Sequence, residues 1–257
     1  KIRDGIIYSD GTTILGADDK AGISAILELI HIMKENPIEH GDIYFVIMSG
    51  EESGLVGSRQ FDVKHLPVEY GYALDSDGVV GTIITAAPAQ AKLYATINGK
   101  AAHAGVSPEK GISAISMTAK AITKMPLGRI DEETTANIGS FEGKGPTNVV
   151  CEQVLLVAEA RSLSKDKLDR QVNVMCHALE ETASQMGGTV DIEVKAMYPN
   201  YQFTEKDQVV QVAQDAVKAV GKTPALKVSG GGSDANHLSG KGIPTVNLAV
   251  GYENIHT

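Results

Sequence analysis

The chain has 257 residues, 42% of them hydrophobic and 21% charged, with 27 glycines, 9 prolines and no tryptophan. This composition excludes a disordered tract, a collagen-like repeat and a coiled coil. The 32 acidic residues against 23 basic ones give a net charge of −9, which leaves no positive field to neutralise a phosphate backbone and argues against a nucleic-acid partner.

A chain of this length buries about 70–75% of its unfolded surface and is near the size at which one core divides into two. No run of about 18 apolar residues occurs, and no apolar stretch follows a basic start, so neither a membrane span nor a signal peptide is expected. A cytoplasmic location follows as the expectation. Cys151 and Cys176 each lie in an apolar periodic segment and not in a CxxC pair, which predicts free thiols in the core.

In chain order, residues 12–15 (TTIL) read as a short strand. From Lys20 to Glu35, Ile23, Ile26, Leu27, Ile30 and Met33 recur at spacings of three and four, which makes one face of a helix. Asn36–Pro37 ends that helix, because proline disfavours helix in the residue before it. Residues 42–48 (DIYFVIM) and 70–74 (YGYAL) read as buried strands. Alternating strand and helix signals of this kind predict an α/β domain built on a mixed, mostly parallel sheet.

From about Gln90 the texture changes. Strand character falls at 91–97, 134–141, 149–161 and 188–197, and helical spacing at 109–124 and 164–186. The resulting β, α, β, β, α, β order is that of an α+β, ferredoxin-like domain. A helix at 206–220, a glycine-rich turn at 230–232 and a strand at 244–250 then return the chain to the first texture. Two domains are therefore expected: 1–85 with 201–257, and an insertion at 86–200.

The chemistry gathers at the ends of the predicted strands. Asp18 and Asp19 lie in GADDKAG between a strand and a helix, Glu51 and Glu52 in IMSGEESG, and Asp75 in YALDSDG. Open α/β sheets place their ligands at such ends. One of the aspartates could simply cap the helix. Carboxylates crowded at three successive strand ends repel one another, and divalent cations or a retained proton relieve that repulsion.

Of the seven histidines, His31, His40, His65 and His177 sit in structural or solvated contexts, His103 follows a strand of the insertion among small residues that allow close approach, and His237 or His256 could be a ligand. Zinc accepts imidazole and carboxylate together, while calcium and magnesium prefer oxygen alone. The GGGSDAN run lacks the spacing of a phosphate-binding loop, and no GxSxG elbow for a serine nucleophile is present.

Taken in order, GADDKAG, SGEESGLVGS, ALDSDG, NGKAAHAG, the arginine of AEARS, GGSDAN and GYENIHT resemble the di-zinc exopeptidases. That family includes peptidase T, carboxypeptidase G, aminoacylase and the bacterial acetylornithine and succinyl-diaminopimelate deacylases. The resemblance spans the whole chain, and the double-acid GADDKAG and the EESG loop look most like the peptidase T branch.

The resemblance implies two zinc ions, with cobalt or manganese as possible substitutes. Asp18 would bridge them, with Glu52 and His256 on one ion and Asp75 on the other. Glu51 would be the general base and His103 the oxyanion stabiliser. Arg161, Asn148 and the Gly232–Ser233 turn would hold a substrate carboxylate. The implied inserted domain is a lid that also carries the contact of a homodimer, and the implied substrate is a short peptide.

An N-acyl amino acid deacylase or carboxypeptidase on the same scaffold is the alternative within enzymes. A non-catalytic dimeric module or inactive fragment is the alternative outside them. The family also carries a His-x-Asp ahead of the first aspartate, and no histidine precedes Asp18 here. On that basis the chain is expected to lack on the order of a hundred N-terminal residues of a complete α/β domain and a C-terminal helix, leaving one metal position incomplete.

Overall fold

The computed structural model describes residues 1–255, and the chain divides into two compact units, Lys1–Ala87 with Tyr201–Thr257, and Pro88–Asn200. The first unit opens with a small hairpin, β1 (Ile2–Arg3) and β2 (Ile6–Ile7), followed by α1 (Ala17–Glu35) and the short α2 (Val56–Gln60). Next come β3 (Gly71–Ser76) and β4 (Thr82–Ala87). The second unit holds β5 (Ala89–Asn98), α3 (Ala114–Ile122), β6 (Gly128–Arg129), β7 (Thr134–Glu142), β8 (Gln153–Ser162), α4 (Lys165–Met186) and β9 (Thr189–Tyr198). The chain then returns to the first unit with β10 (Tyr201–Gln202), α5 (Gln208–Ala219), β11 (Ala225–Val228), α6 (Asp234–Gly240) and β12 (Thr245–Ala249).

The five-stranded sheet of the first unit is mixed as expected, but two of its four pairings are antiparallel, so it is not mostly parallel. β12 runs parallel to β3 and β11 parallel to β4, while β12 and β10 both pair with β4 antiparallel. β4 is the central strand and all six of its residues are buried. α5 covers it with Val209, Val210 and Ala213, which pack against Ile83 and Val246.

Two expected strands, 12–15 and 42–48, are irregular, and Ile14, Leu15, Ile43, Tyr44 and Ile47 are exposed. An apolar run becomes a strand only where a neighbour accepts its ladder of hydrogen bonds, and neither stretch has such a neighbour among the described residues.

In the second unit every pairing is antiparallel, in the order β6-β7-β8-β5-β9. β5 and β8 alternate buried and half-buried residues, so one face of the sheet is apolar. Leu93, Ile97, Val154 and Leu156 on that face meet Met117 of α3 and Met175 and Leu179 of α4.

α4 is bounded by local chemistry: Ser164 Oγ accepts from the Lys167 N–H, and Gly187 closes the helix at φ 78°, where a side chain would be strained. α3 starts at Ala114 rather than 109, because Pro108–Lys110 forms a separate 3₁₀ turn and Ser113 is the cap. Both cysteines are free, as expected, and half-buried; Cys176 packs against the core of the second unit, and Cys151 does not. Among the described residues no helix is long and apolar enough to cross a membrane.

Candidate active site

Three segments of the first unit bring carboxylates to one cleft of about 220 Å³, lined by Asp18, Glu51, Glu52, Asp75, the Gly231–Ser233 turn and Tyr252. Each is placed by its own local device. At the start of α1, Asp18 and Asp19 have non-helical dihedrals, so the regular helix begins after them. Asp19 Oδ1 accepts the Gly22 N–H at 3.0 Å and so caps the helix, which leaves Asp18 as the acid that lines the cleft.

Gly22 is the contact between helix and sheet. A Cβ there would lie 2.2 Å from the Leu74 carbonyl oxygen, so only glycine lets the first turn of α1 rest against the end of β3. That approach sets Asp18 beside Asp75.

Glu51 and Glu52 sit on a tight turn ahead of α2. The N–H groups of Gly54 and Leu55 both donate to the Glu51 carbonyl, at 3.0 and 2.8 Å, and Val56 N–H donates to Gly50 O at 3.0 Å. Gly54 at φ 96° and Leu55 at φ 58° are left-handed, the conformation that reverses the chain within so few residues. α2 is then tied to α6, since Lys241 Nζ donates to the carbonyls of Ser58, Arg59 and Phe61 at 2.7, 2.8 and 2.7 Å.

The electrostatics follow from crowding. Burial, then Glu52 and Asp75, push the Asp18 carboxyl up to about 6. Burial and Asp75 also push Asp19 up to about 6, against the opposing hydrogen bond from Gly22. Glu51 is pushed up to about 8, by burial first and then by Asp75, Asp234, Glu52 and Asp18. Such shifts mark a site where negative charge is expensive and a cation would be welcome.

Sequence reasoning missed three residues here. Tyr252 donates its hydroxyl to Asp75 Oδ1 at 2.8 Å. Asn247 accepts the Asp75 N–H at 2.9 Å and donates to the Asp75 carbonyl. Asp234, behind the glycine turn, carries a raised carboxyl because it is buried, is eased by Ser58, and faces Asp75. Two of the three lie inside the quoted motifs GGSDAN and GYENIHT, but polarity alone did not separate them from turn residues.

Gly232 and Ser233 line the same cleft, with the Ser233 N–H donating to Asn236 Oδ1 at 2.9 Å at the start of α6. His103, Asn148 and Arg161 belong to the second unit. His103 is exposed just after β5 and bridges to Val149, while its Nδ1 accepts from the Gly105 N–H at 3.2 Å. Asn148 is exposed beside it, its carbonyl accepting from Ala104 N–H at 2.9 Å.

Arg161, on β8, is engaged by Glu159, Nε to Oε1 at 2.8 Å and Nη2 to Oε2 at 3.3 Å, and Gln90 donates to that same Glu159 at 2.6 Å. His256 lies outside the described residues. His237 is buried in α6, and burial, then Lys241 and Arg59, hold its ring below the usual imidazole range.

Comparison with known proteins is consistent across the chain. Residues 1–257 match the family described as Peptidase family M20/M25/M40. The chain is 59% identical over 256 residues to the uncharacterized protein YqjE of Bacillus subtilis (strain 168), a match that takes in all of this chain and 69% of that protein.

Among solved structures, it superposes on aminopeptidase PepT from Bacillus cereus with a TM-score of 0.93 at 61% identity, covering all of this chain and 69% of the other. A tripeptidase from Staphylococcus aureus matches with a TM-score of 0.93 at 48% identity, over 97% of this chain and 67% of the other. The chain spans 62% of the length of the Desulfitobacterium hafniense protein named peptidase T, to which it is 34% identical, with 98% of this chain covered.

Proposed function

The chain belongs to peptidase family M20/M25/M40, and from that premise we propose that it carries the active-site cleft of a metal-dependent aminopeptidase that removes the N-terminal residue from short peptides, tripeptides first. The observation that supports this most is the meeting of Asp18, Glu51, Glu52 and Asp75, from three separate strand and helix ends, in one cleft.

The donor chemistry fits divalent cations. Asp18 is disfavoured as an anion by burial and by Glu52 and Asp75, and a dication among these oxygens would reverse those costs. Among the described residues no three carboxylate, imidazole or thiol groups make a finished ligand cluster, and the expected imidazole, His256, lies outside them. Asp18, Glu52 and Asp75, with His256, are the residues that would hold two zinc ions. The ions would polarise the scissile carbonyl and lower the pKa of water toward neutrality.

The chain's own residues would do the rest. Glu51 takes a proton from the attacking water on its carboxylate and returns it to the leaving amine, a role suited to a half-buried carboxyl whose affinity for protons is raised. His103 and Arg161 act from the second unit on the developing oxyanion and on a substrate carboxylate, and Asn148 and the Gly232–Ser233 turn help to hold that carboxylate. Arg161 would share its guanidinium between Glu159 and the substrate. The Pro88–Asn200 unit would serve as lid and as the contact of a homodimer.

The test is a pair of variants. Glu51→Gln is expected to keep metal stoichiometry but lose turnover of a tripeptide by about 10²–10⁴-fold, and Asp18→Asn to lose metal. Equal turnover of wild type and Glu51→Gln removes the base assignment. Preference for acylated amino acids over tripeptides in the same assay moves the substrate to the deacylase class.

A further inference from the structure

Asp75 is held from two directions by one stretch of chain, 247–252. Asn247, 5% exposed on β12, turns its amide onto the neighbouring strand: Oδ1 accepts the Asp75 N–H at 2.9 Å and Nδ2 donates to the Asp75 carbonyl. Those two bonds stand where the β12–β3 register shifts, between Asn247 and Ala249, so a side chain replaces the ladder at the point where the backbone ladder breaks.

Five residues on, Tyr252, 6% exposed, donates its hydroxyl to Asp75 Oδ1 at 2.8 Å. The backbone between the two contacts is itself tied down, Val250 N–H to Ser76 O at 3.1 Å and Gly78 N–H to Tyr252 O at 3.3 Å. A side chain alone leaves a carboxylate free to rotate. A backbone bracket together with a hydroxyl on one oxygen fixes both where Asp75 stands and which way it faces.

We propose that Asn247 and Tyr252 are positioning residues for Asp75, so that the affinity of the cleft for a divalent cation depends on a tyrosine hydroxyl and an asparagine amide that are not themselves ligands. The inference rests on the metallopeptidase reading above and goes beyond it by assigning these two residues. Partners that orient a ligating carboxylate typically control about 10–100-fold of metal affinity.

The test titrates zinc chloride into the metal-free full-length protein against a competing chelator. Tyr252→Phe is expected to weaken zinc binding about 10–100-fold while folding normally. Asn247→Ala, which removes both bonds to the Asp75 backbone, gives an independent reading of the same titration and is expected to weaken it as well. Tyr72→Phe is the control. Its hydroxyl, on the same strand as Asp75, donates to the Val209 carbonyl at 3.0 Å, so it loses a comparable hydrogen bond and should leave zinc affinity within about twofold.

Wild-type affinity in both Tyr252→Phe and Asn247→Ala overturns the inference, as does an equal loss in Tyr72→Phe. Wild-type protein that takes up no zinc overturns the metallopeptidase reading itself and the inference with it, which separates the two failures.

Discussion

At the scale of single residues, adjacent acids divide their work. Asp19 spends an oxygen on the Gly22 N–H and Asp18 faces the cleft, and what makes this division possible is the missing side chain at Gly22. Gly22→Ala would place a methyl 2.2 Å from the Leu74 carbonyl oxygen and 2.6 Å from Asp19 Oδ1. Neither atom is the end of a long flexible side chain, so the helix must lift from β3. The expected cost is about 1–3 kcal/mol, read as a lowered urea midpoint, accompanied by weaker metal uptake because Asp18 moves away from Asp75. An unchanged midpoint would show that the contact relaxes without consequence.

At the scale of elements, the cleft is bordered by two short helices, α2 and α6. α2 has only five residues, too few to be stable by themselves, and its terminal carbonyls are gathered by Lys241 from the end of α6. A cation at a helix C-terminus also meets the negative end of the helix dipole. Lys241→Met is expected to destabilise the first unit by about 1–3 kcal/mol and to speed amide hydrogen exchange at residues 54–57, where the Glu51 turn is anchored. Exchange unchanged at those amides would mean that α2 is held by other contacts.

The same pair of helices contains a pH dependence. Burial, with Lys241 and Arg59, lowers the His237 pKa below its ordinary 6.5, so the folded chain takes up this proton less readily than the unfolded chain. Its contribution to stability is complete above pH about 6.5 and is lost as the pH falls through the lowered folded value. His237→Gln should therefore gain melting temperature relative to wild type as the pH falls from 7 to 5. That change in pH slope is set against the opposite trend of Asp18, Asp19 and Glu51, whose raised carboxyls favour the folded chain at lower pH. A slope identical in the variant would assign it to other groups.

At the scale of the whole molecule, each unit has a core of its own. Pro88–Asn200 closes a five-stranded antiparallel sheet under two helices, with Met117, Leu156, Met175 and Leu179 almost fully buried. A segment with that core is expected to fold when expressed by itself, with a single cooperative thermal transition. Sedimentation of the isolated unit then tests the proposed dimer contact directly. A molten segment, with secondary structure but no cooperative transition, would show that its core needs the first unit.

Much of this was legible in the order of residues, because the signals were local. The apolar spacing of 20–35 and 164–186 maps onto α1 and α4, the second to within a residue. The acids at 18, 51, 52 and 75 were visible as charges at the ends of apolar segments.

Other features had no local signal. The buried strand Thr82–Ala87 passed unread because six residues of threonine, isoleucine and alanine between Gly81 and Pro88 carry no alternation when both faces are covered. The stretch 42–48 read as a strand on composition and is irregular here because a ladder requires a partner.

Sequence by itself determined the four longer helices, α1, α3, α4 and α5, and the acidic character of the strand ends, since these depend on neighbours within a few residues, while the short α2 and α6 went unread. Tertiary structure alone decided that β4 pairs antiparallel with both β10 and β12, that Asp19 caps while Asp18 lines the cleft, and that Asn247 and Tyr252 grip Asp75 from 172 and 177 residues away. Contacts at that separation leave no periodicity for a sequence to show.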